Sequence, residues 1–357
     1  MIEKPGVSSE DLVRHVRNAY DLHVVEVRPT APGADAEAAT YRLASHDGTY
    51  FLKLRHGAAD DTAAPLQSFL AEAVDAVDAV SAVATEATTG LEAARVVAPL
   101  PDRHGRLSTV LDGYVAVLYP FVAGRSGFEV PLTREQWTAL GEFVRALHGI
   151  DLPPSLRSAV RVETYGPKWR DKVRGHLATD TPPERLPDAP ARELAAILRA
   201  RREQLTTIVE RAEQLAAVLR GKEGEPVLCH GDLHAGNVMV TDDGAVVVVD
   251  WDDPVMAPRE RDLMFVGGGV GGVWNDAAEC AAFHRGYGTG EIDAQTLAYY
   301  RCERIVQDVA EYCDQLLVGR PHDSEDDREL SLRHFAGQFR PDDVVDIAER
   351  TYAALRG

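Results

Sequence analysis

The chain of 357 residues is longer than one hydrophobic core normally organises, so two lobes are expected; with 45% hydrophobic and 27% charged residues it is neither disordered nor fibrous. Lysine and arginine number 38 against 57 aspartates and glutamates, a formal net charge of −19 that excludes a nucleic-acid partner and admits a cationic ligand without identifying one. Residues 1–6 are not followed by an apolar stretch, and no apolar run nears the roughly 18 residues of a membrane span, so a cytoplasmic protein with no membrane partner is expected.

In chain order, Ser8 and Ser9 ahead of Leu12, Val13, Val16 and Tyr20 predict a capped helix. Residues 23–28, 39–45 and 49–55 alternate or are β-branched, and Asp47-Gly48 is a hairpin signal, so an antiparallel sheet is expected near the N-terminus. Leu66, Phe69, Leu70, Ala73, Val77 and Val80 recur at helical spacing behind Pro65. Residues 96–100 and 114–119 read as further strands of the same small lobe, 1–118. Pro120, Gly124 and Gly127 then break the pattern. From 125 to 357 the chain reads as mainly helical, with 134–148, 193–219 and 294–318 the longest periodic segments, 180–192 a loop and 322–329 an acidic solvated stretch. Short strands are expected at 227–229, 238–240 and 245–249. Cys229, Cys280, Cys302 and Cys313 form no CxxC pair, and Cys302 and Cys313 on one helix would stand on the order of 16 Å apart, so all four read as reduced thiols.

The run His230-Gly231-Asp232-Leu233-His234-Ala235-Gly236-Asn237, followed by Val249-Asp250-Trp251-Asp252, carries the chemistry. Phosphoryl transfer needs positioning and charge neutralisation, and this set supplies both: a carboxylate to orient and deprotonate a hydroxyl, and an amide oxygen with a second carboxylate as hard ligands for Mg²⁺. The competing reading makes His230, His234 and Asp232 zinc ligands, but it gives Asn237 and Asp250 no task. His230 reads as structural, packed beneath the loop.

This pattern resembles the aminoglycoside phosphotransferase family, and residues 250–269 and 299–308 resemble its spectinomycin-phosphorylating members. The resemblance spans about residues 10–320. It implies an α+β, bilobal protein-kinase-like fold, with an N-terminal antiparallel sheet lobe and a larger, mainly helical C-terminal lobe. It makes Asp232 the catalytic base, Asn237 and Asp250 the Mg²⁺ ligands, and Asp262 the structural anchor of the catalytic loop. Residues 119–124 resemble the hinge, so the Tyr119 carbonyl and Phe121 N–H would bond the adenine of ATP, with Leu118 bordering the pocket.

Lys53 stands inside an apolar strand, where an ammonium needs a partner. It is expected to face the ATP phosphates and pair with Glu72, against the alternative of an edge lysine facing solvent. The turn at 32–40 has one glycine, Gly33, that could let backbone approach phosphate. Asp252 and Asp253 adjoin Asp250, and Glu303, Gln307 and Glu311 share one helix face; these are expected to meet a cationic, hydroxylated small-molecule acceptor, although a solvated face reads the same way. The expected activity is ATP-dependent O-phosphorylation of spectinomycin or a related amino-sugar antibiotic by a monomer or weak dimer. A metabolite kinase for choline, homoserine or a methylthioribose-like sugar, or an inactive nucleotide-binding scaffold, are the other readings.

Overall fold

The structure, a computed structural model, describes residues 7–30, 38–56, 64–73, 94–288, 290–318 and 324–356. The Gly33 turn and the helix positions Val77 and Val80 lie outside the described residues. Helix α1 (Ser9–Tyr20) starts where the Ser8 side chain accepts the Asp11 N–H, and Leu12 and Val16 bury its apolar face.

Strands β1 (Val24–Pro29), β2 (Ala38–Ser45) and β3 (Gly48–His56) follow, then helix α2 (64–73), β4 (Arg95–Val96), β5 (Thr109–Leu111), β6 (Tyr114–Pro120) and β7 (Gly124–Ser126). Five of these form an antiparallel sheet in the order β1-β2-β3-β6-β5. Leu43, Leu52, Leu54, Ala116 and Leu118 of this sheet pack with Leu12 and Val16 in one core.

Strand β4 departs from expectation. Arg95 and Val96 pair in parallel with Val247 and Val248, in a second sheet ordered β4-β11-β10-β7. Two residues cannot hold a place in the longer sheet, and Val96 gains burial among Leu140, Val144 and Val248. Helix α2 also faces both ways: Leu66 and Leu70 join that second core, whereas Ala64 packs on Val115 and Val117.

The remainder runs α3 (Arg134–His148), α4 (Pro154–Ala159), β8 (Arg161–Val162), α5 (Lys168–Ala178), α6 (Ala189–Ala200), α7 (Arg202–Leu219), β9 (Val227–Cys229), β10 (Val238–Thr241), β11 (Val246–Val248) and β12 (Val255–Ala257). Helices α8 (Glu260–Leu263), α9 (Ala277–Tyr287), α10 (Ala294–Cys313), α11 (Glu325–Gly337) and α12 (Val344–Ala353) complete it. The expected helix 193–219 is two, broken at Arg201, and α6 begins four residues early because Asp188 caps it and Pro190 suits its first turn. The acidic residues Glu325, Asp326 and Glu329 are exposed as expected, but they lie on a helix: Ser324 and Asp327 form a capping box that opens α11. The four cysteines are free. Among the described residues no helix is long and apolar enough to cross a membrane.

Helices α3 and α9 cross at two glycines. A Cβ on Gly141 would stand 2.1 Å from the Phe283 carbonyl oxygen, and one on Gly286 would stand 1.9 Å from that of Thr138. Gly286→Ala therefore forces the helices apart and should cost about 1–3 kcal/mol in thermal unfolding. Gly175→Ala on α5, where a Cβ meets nothing within 4 Å, should instead be neutral or raise stability by about 0.5–1 kcal/mol.

Candidate active site

The site is built on one buried carboxylate. Asp262, fully buried on α8, accepts the N–H groups of His230 at Oδ2 and Gly231 at Oδ1, each at 2.9 Å. His148 of α3 adds Nε2 at 3.1 Å to Oδ2, and its own Nδ1 lies 2.9 Å from the Tyr287 hydroxyl. Burial would raise the Asp262 pKa, but His148 and His230 outweigh it and hold the carboxyl below its ordinary value. Gly231 adopts φ +86°, and a Cβ there would meet the Asp253 carbonyl oxygen at 2.7 Å, so the turn needs glycine.

From this anchor the loop carries its functional groups in order. His230 Nδ1 accepts the Asp232 N–H at 3.2 Å, which puts its proton on Nε2, 2.9 Å from the Val249 carbonyl. Its ring packs edge-on against Trp251 at 4.6 Å; Trp251 is itself buried, with Nε1 donating to the Val248 carbonyl. Asn237 donates from Nδ2 to the Asp232 carbonyl at 2.8 Å, and among the described residues its Oδ1 accepts no hydrogen bond. Asp250 sits at φ +64°, a region that aspartate tolerates better than most side chains.

The sheet lobe meets this loop through Lys53. Its Nζ bonds Asp250 Oδ1 at 2.8 Å and also Asp252 Oδ2, with only 11% of the side chain exposed. Burial would lower the Lys53 pKa, but Asp250 and Asp252 reverse this and raise it. Burial pushes Asp252 up to about 6 against the pull of Lys53, with Asp250 adding to the rise, whereas Lys53 holds Asp250 below its ordinary value despite burial. Two carboxylates that already share a cation, beside a spare amide oxygen, fit the hard-ligand chemistry of Mg²⁺.

Three expected placements need correction. Glu72 is exposed, and the partners of Lys53 are Asp250 and Asp252 instead, because these carboxylates come within reach of β3 where the lobes meet. The Phe121 N–H donates to the Thr49 carbonyl at 3.1 Å, so continuation of the β3–β6 ladder takes the donor expected to meet adenine. Glu303 lies buried in an ion pair with Arg170 at 2.5 Å, which removes it from any acceptor wall. Leu118 is fully buried in the sheet core, and the Tyr119 hydroxyl bonds Gln67 at 2.8 Å. Asp253 forms a surface fork with Arg161, and Gln307 bonds Glu311 at 3.1 Å.

Two residues at the site, Arg304 and Phe128, were not singled out by the sequence, and a third, His234, was weighed only as a zinc ligand. Arg304 of α10 pairs with Asp232 Oδ1, and His234 Nε2 lies 3.5 Å from Asp232 Oδ2. His234 Nδ1 accepts the Gly236 N–H, leaving Nε2 toward Asp232, and burial lowers its pKa against the pull of Asp232. Phe128 stacks on His234 at 5.6 Å while 44% exposed; a Cβ on Gly236 or Gly271 would stand 2.9 or 2.8 Å from its ring. The histidine stood out because it lies in the recognised loop; a phenylalanine and an arginine distant in sequence carry no such mark.

Asp262→Ala leaves two buried backbone donors without an acceptor and should cost about 1–3 kcal/mol for each in denaturant unfolding.

Residues 29–301 match the phosphotransferase enzyme family. Protein StrN of Streptomyces griseus is 27% identical over 241 residues, 65% of this chain and 68% of its own. The crystal structure of spectinomycin phosphotransferase APH(9)-Ia, in complex with ADP and spectinomycin, is 30% identical with a TM-score of 0.81, covering 98% of this chain and 99% of that one. Amicoumacin kinase, in complex with AMP-PNP and Ca²⁺, shares the fold at 16% identity and a TM-score of 0.58, covering 96% of this chain and 94% of that one. The chain belongs to the phosphotransferase enzyme family and has a bilobal, kinase-like α+β fold.

Proposed function

We propose that the protein is an ATP-dependent O-phosphotransferase whose acceptor is spectinomycin or a related aminocyclitol antibiotic, and that phosphorylation confers resistance. The lobes are taken as 1–118 and 125–357, joined at 119–124, with ATP between them. What carries this reading is that Lys53, Asp232, Asn237 and Asp250 are joined in one chain of contacts: Lys53–Asp250 and Asn237–Asp232 hydrogen bonds at 2.8 Å each, and the Val249 N–H, next to Asp250, donating to the Asn237 carbonyl at 2.9 Å. Similarity to a spectinomycin phosphotransferase at 30% identity over nearly the whole chain supports the acceptor class.

Lys53 turns its ammonium to the nucleotide phosphates. Asn237 and Asp250 would hold Mg²⁺, whose contribution is neutralising charge on those phosphates, and Asp252 adjoins them. Asp232 aligns the acceptor hydroxyl with the γ-phosphorus: the new O–P bond forms, the bond to the β–γ bridging oxygen breaks, ADP leaves, and the hydroxyl proton passes to Asp232. Phe128, stacked over His234, offers an apolar platform for the carbon face of the acceptor ring, and Glu311 and Gln307 offer polar contacts from α10.

An ATP-consumption screen with Mg²⁺ across spectinomycin, other aminoglycosides, choline and homoserine should give the highest turnover on spectinomycin or a relative. Asp232→Asn should lower kcat about 10²–10⁴-fold. Turnover of choline alone would reject the antibiotic acceptor and keep the kinase, whereas full activity of Asp232→Asn would reject the mechanism. Phe128→Ala should raise the acceptor KM about tenfold, equivalent to about 1.4 kcal/mol, and leave the KM for ATP unchanged.

A further inference from the structure

We propose that Arg304 is the positioning residue of this site: it fixes the Asp232 carboxylate by Oδ1, so that Oδ2 is the oxygen presented to the acceptor hydroxyl. The inference rests on the phosphotransferase mechanism above and adds to it a residue from a distant helix. A carboxylate turns about a broad, roughly two-fold torsion and has no intrinsic preference for one presentation. Asp232 is about a third exposed, at 35%, and of its two oxygens only Oδ2 has a neighbour within its own loop, His234 at 3.5 Å. Orientation must therefore come from outside the loop, and Arg304 is the group that supplies it.

Arg304 can do this because it is itself held. Its Nε lies 2.8 Å from Asp308 Oδ1, its guanidinium carbon lies 5.6 Å from the centre of the Phe265 ring, and only 16% of its side chain is exposed. Asp308 is fixed in turn by Gln338, whose Nε2 donates to Oδ2 at 3.0 Å. The planar fork spans two carboxylates at once, which the single ammonium of lysine does not reproduce. Burial pushes Asp308 up to about 7 against the pull of Arg304, with Glu311 and Asp232 adding to the rise. Asp232 moves the other way, because Arg304, His234, His230 and Arg261, the charged and titratable groups that face it, outweigh its burial.

The test is the steady-state kinetics of Arg304→Met and Arg304→Lys, with Mg²⁺–ATP and spectinomycin or whichever acceptor of the screen turns over fastest. The kcat of Arg304→Met should fall about 100-fold, with the acceptor KM and AMP-PNP binding unchanged. Arg304→Lys keeps the charge but not the planar fork and should restore kcat only in part. Because Arg304→Met strands Asp308, the double variant Arg304→Met/Asp308→Asn serves if the single one does not fold, and it should show the same loss of kcat. A kcat near wild type in these variants, or a fall in kcat matched by a raised acceptor KM and lost AMP-PNP binding, overturns the positioning role. Full activity of Asp232→Asn overturns the underlying mechanism instead, so the two failures are distinguishable.

Discussion

Everything at the candidate site depends on the Asp262 carboxylate being buried and fully used. Its two oxygens take two successive backbone N–H groups and a histidine, and that set holds the chain at His230 and Gly231 in a path no ordinary turn would keep. A buried charge of this kind is tolerable only with every acceptor position met. The same requirement makes the loop rigid: Asp232, His234 and Asn237 leave it in fixed directions because its start cannot move without exposing that charge to apolar surroundings.

The second constraint is the cluster of charge where the lobes meet. Lys53 comes from the sheet, Asp250 and Asp252 from the segment after β11, and each would be costly in its position without the others. The left-handed backbone at Asp250 is a local strain that the pair with Lys53 helps to offset, and such strained positions gather where side chains must be aimed. The charges of this cluster are therefore balanced within the protein itself.

The sequence was most informative where partners are near neighbours. The 230–237 run and the hairpin after it could be read because their contacts are local and their turns need particular residue types. The failures have physical causes as well. Spacing placed Glu303, Gln307 and Glu311 on one face of α10, but this helix is buried around most of its circumference, and periodicity does not say which side meets the loop. One residue along, Arg304 faces Asp232 while Glu303 faces Arg170. Lys53 was expected to pair with Glu72 on the following helix, whereas the carboxylates that reach it lie about 200 residues away. The Phe121 donor was misjudged because whether an N–H at a strand end is spent depends on the neighbouring strand, here at Thr49.

Strand β4 has a mechanical meaning. The chain passes from β3 in the five-stranded sheet to β4 in the other, returns to β5, and crosses again between β6 and β7. Parallel pairing seats one of these crossings on Val247 and Val248, two residues before Asp250, so a shift of β4 against β11 would carry over to the carboxylates that hold Lys53.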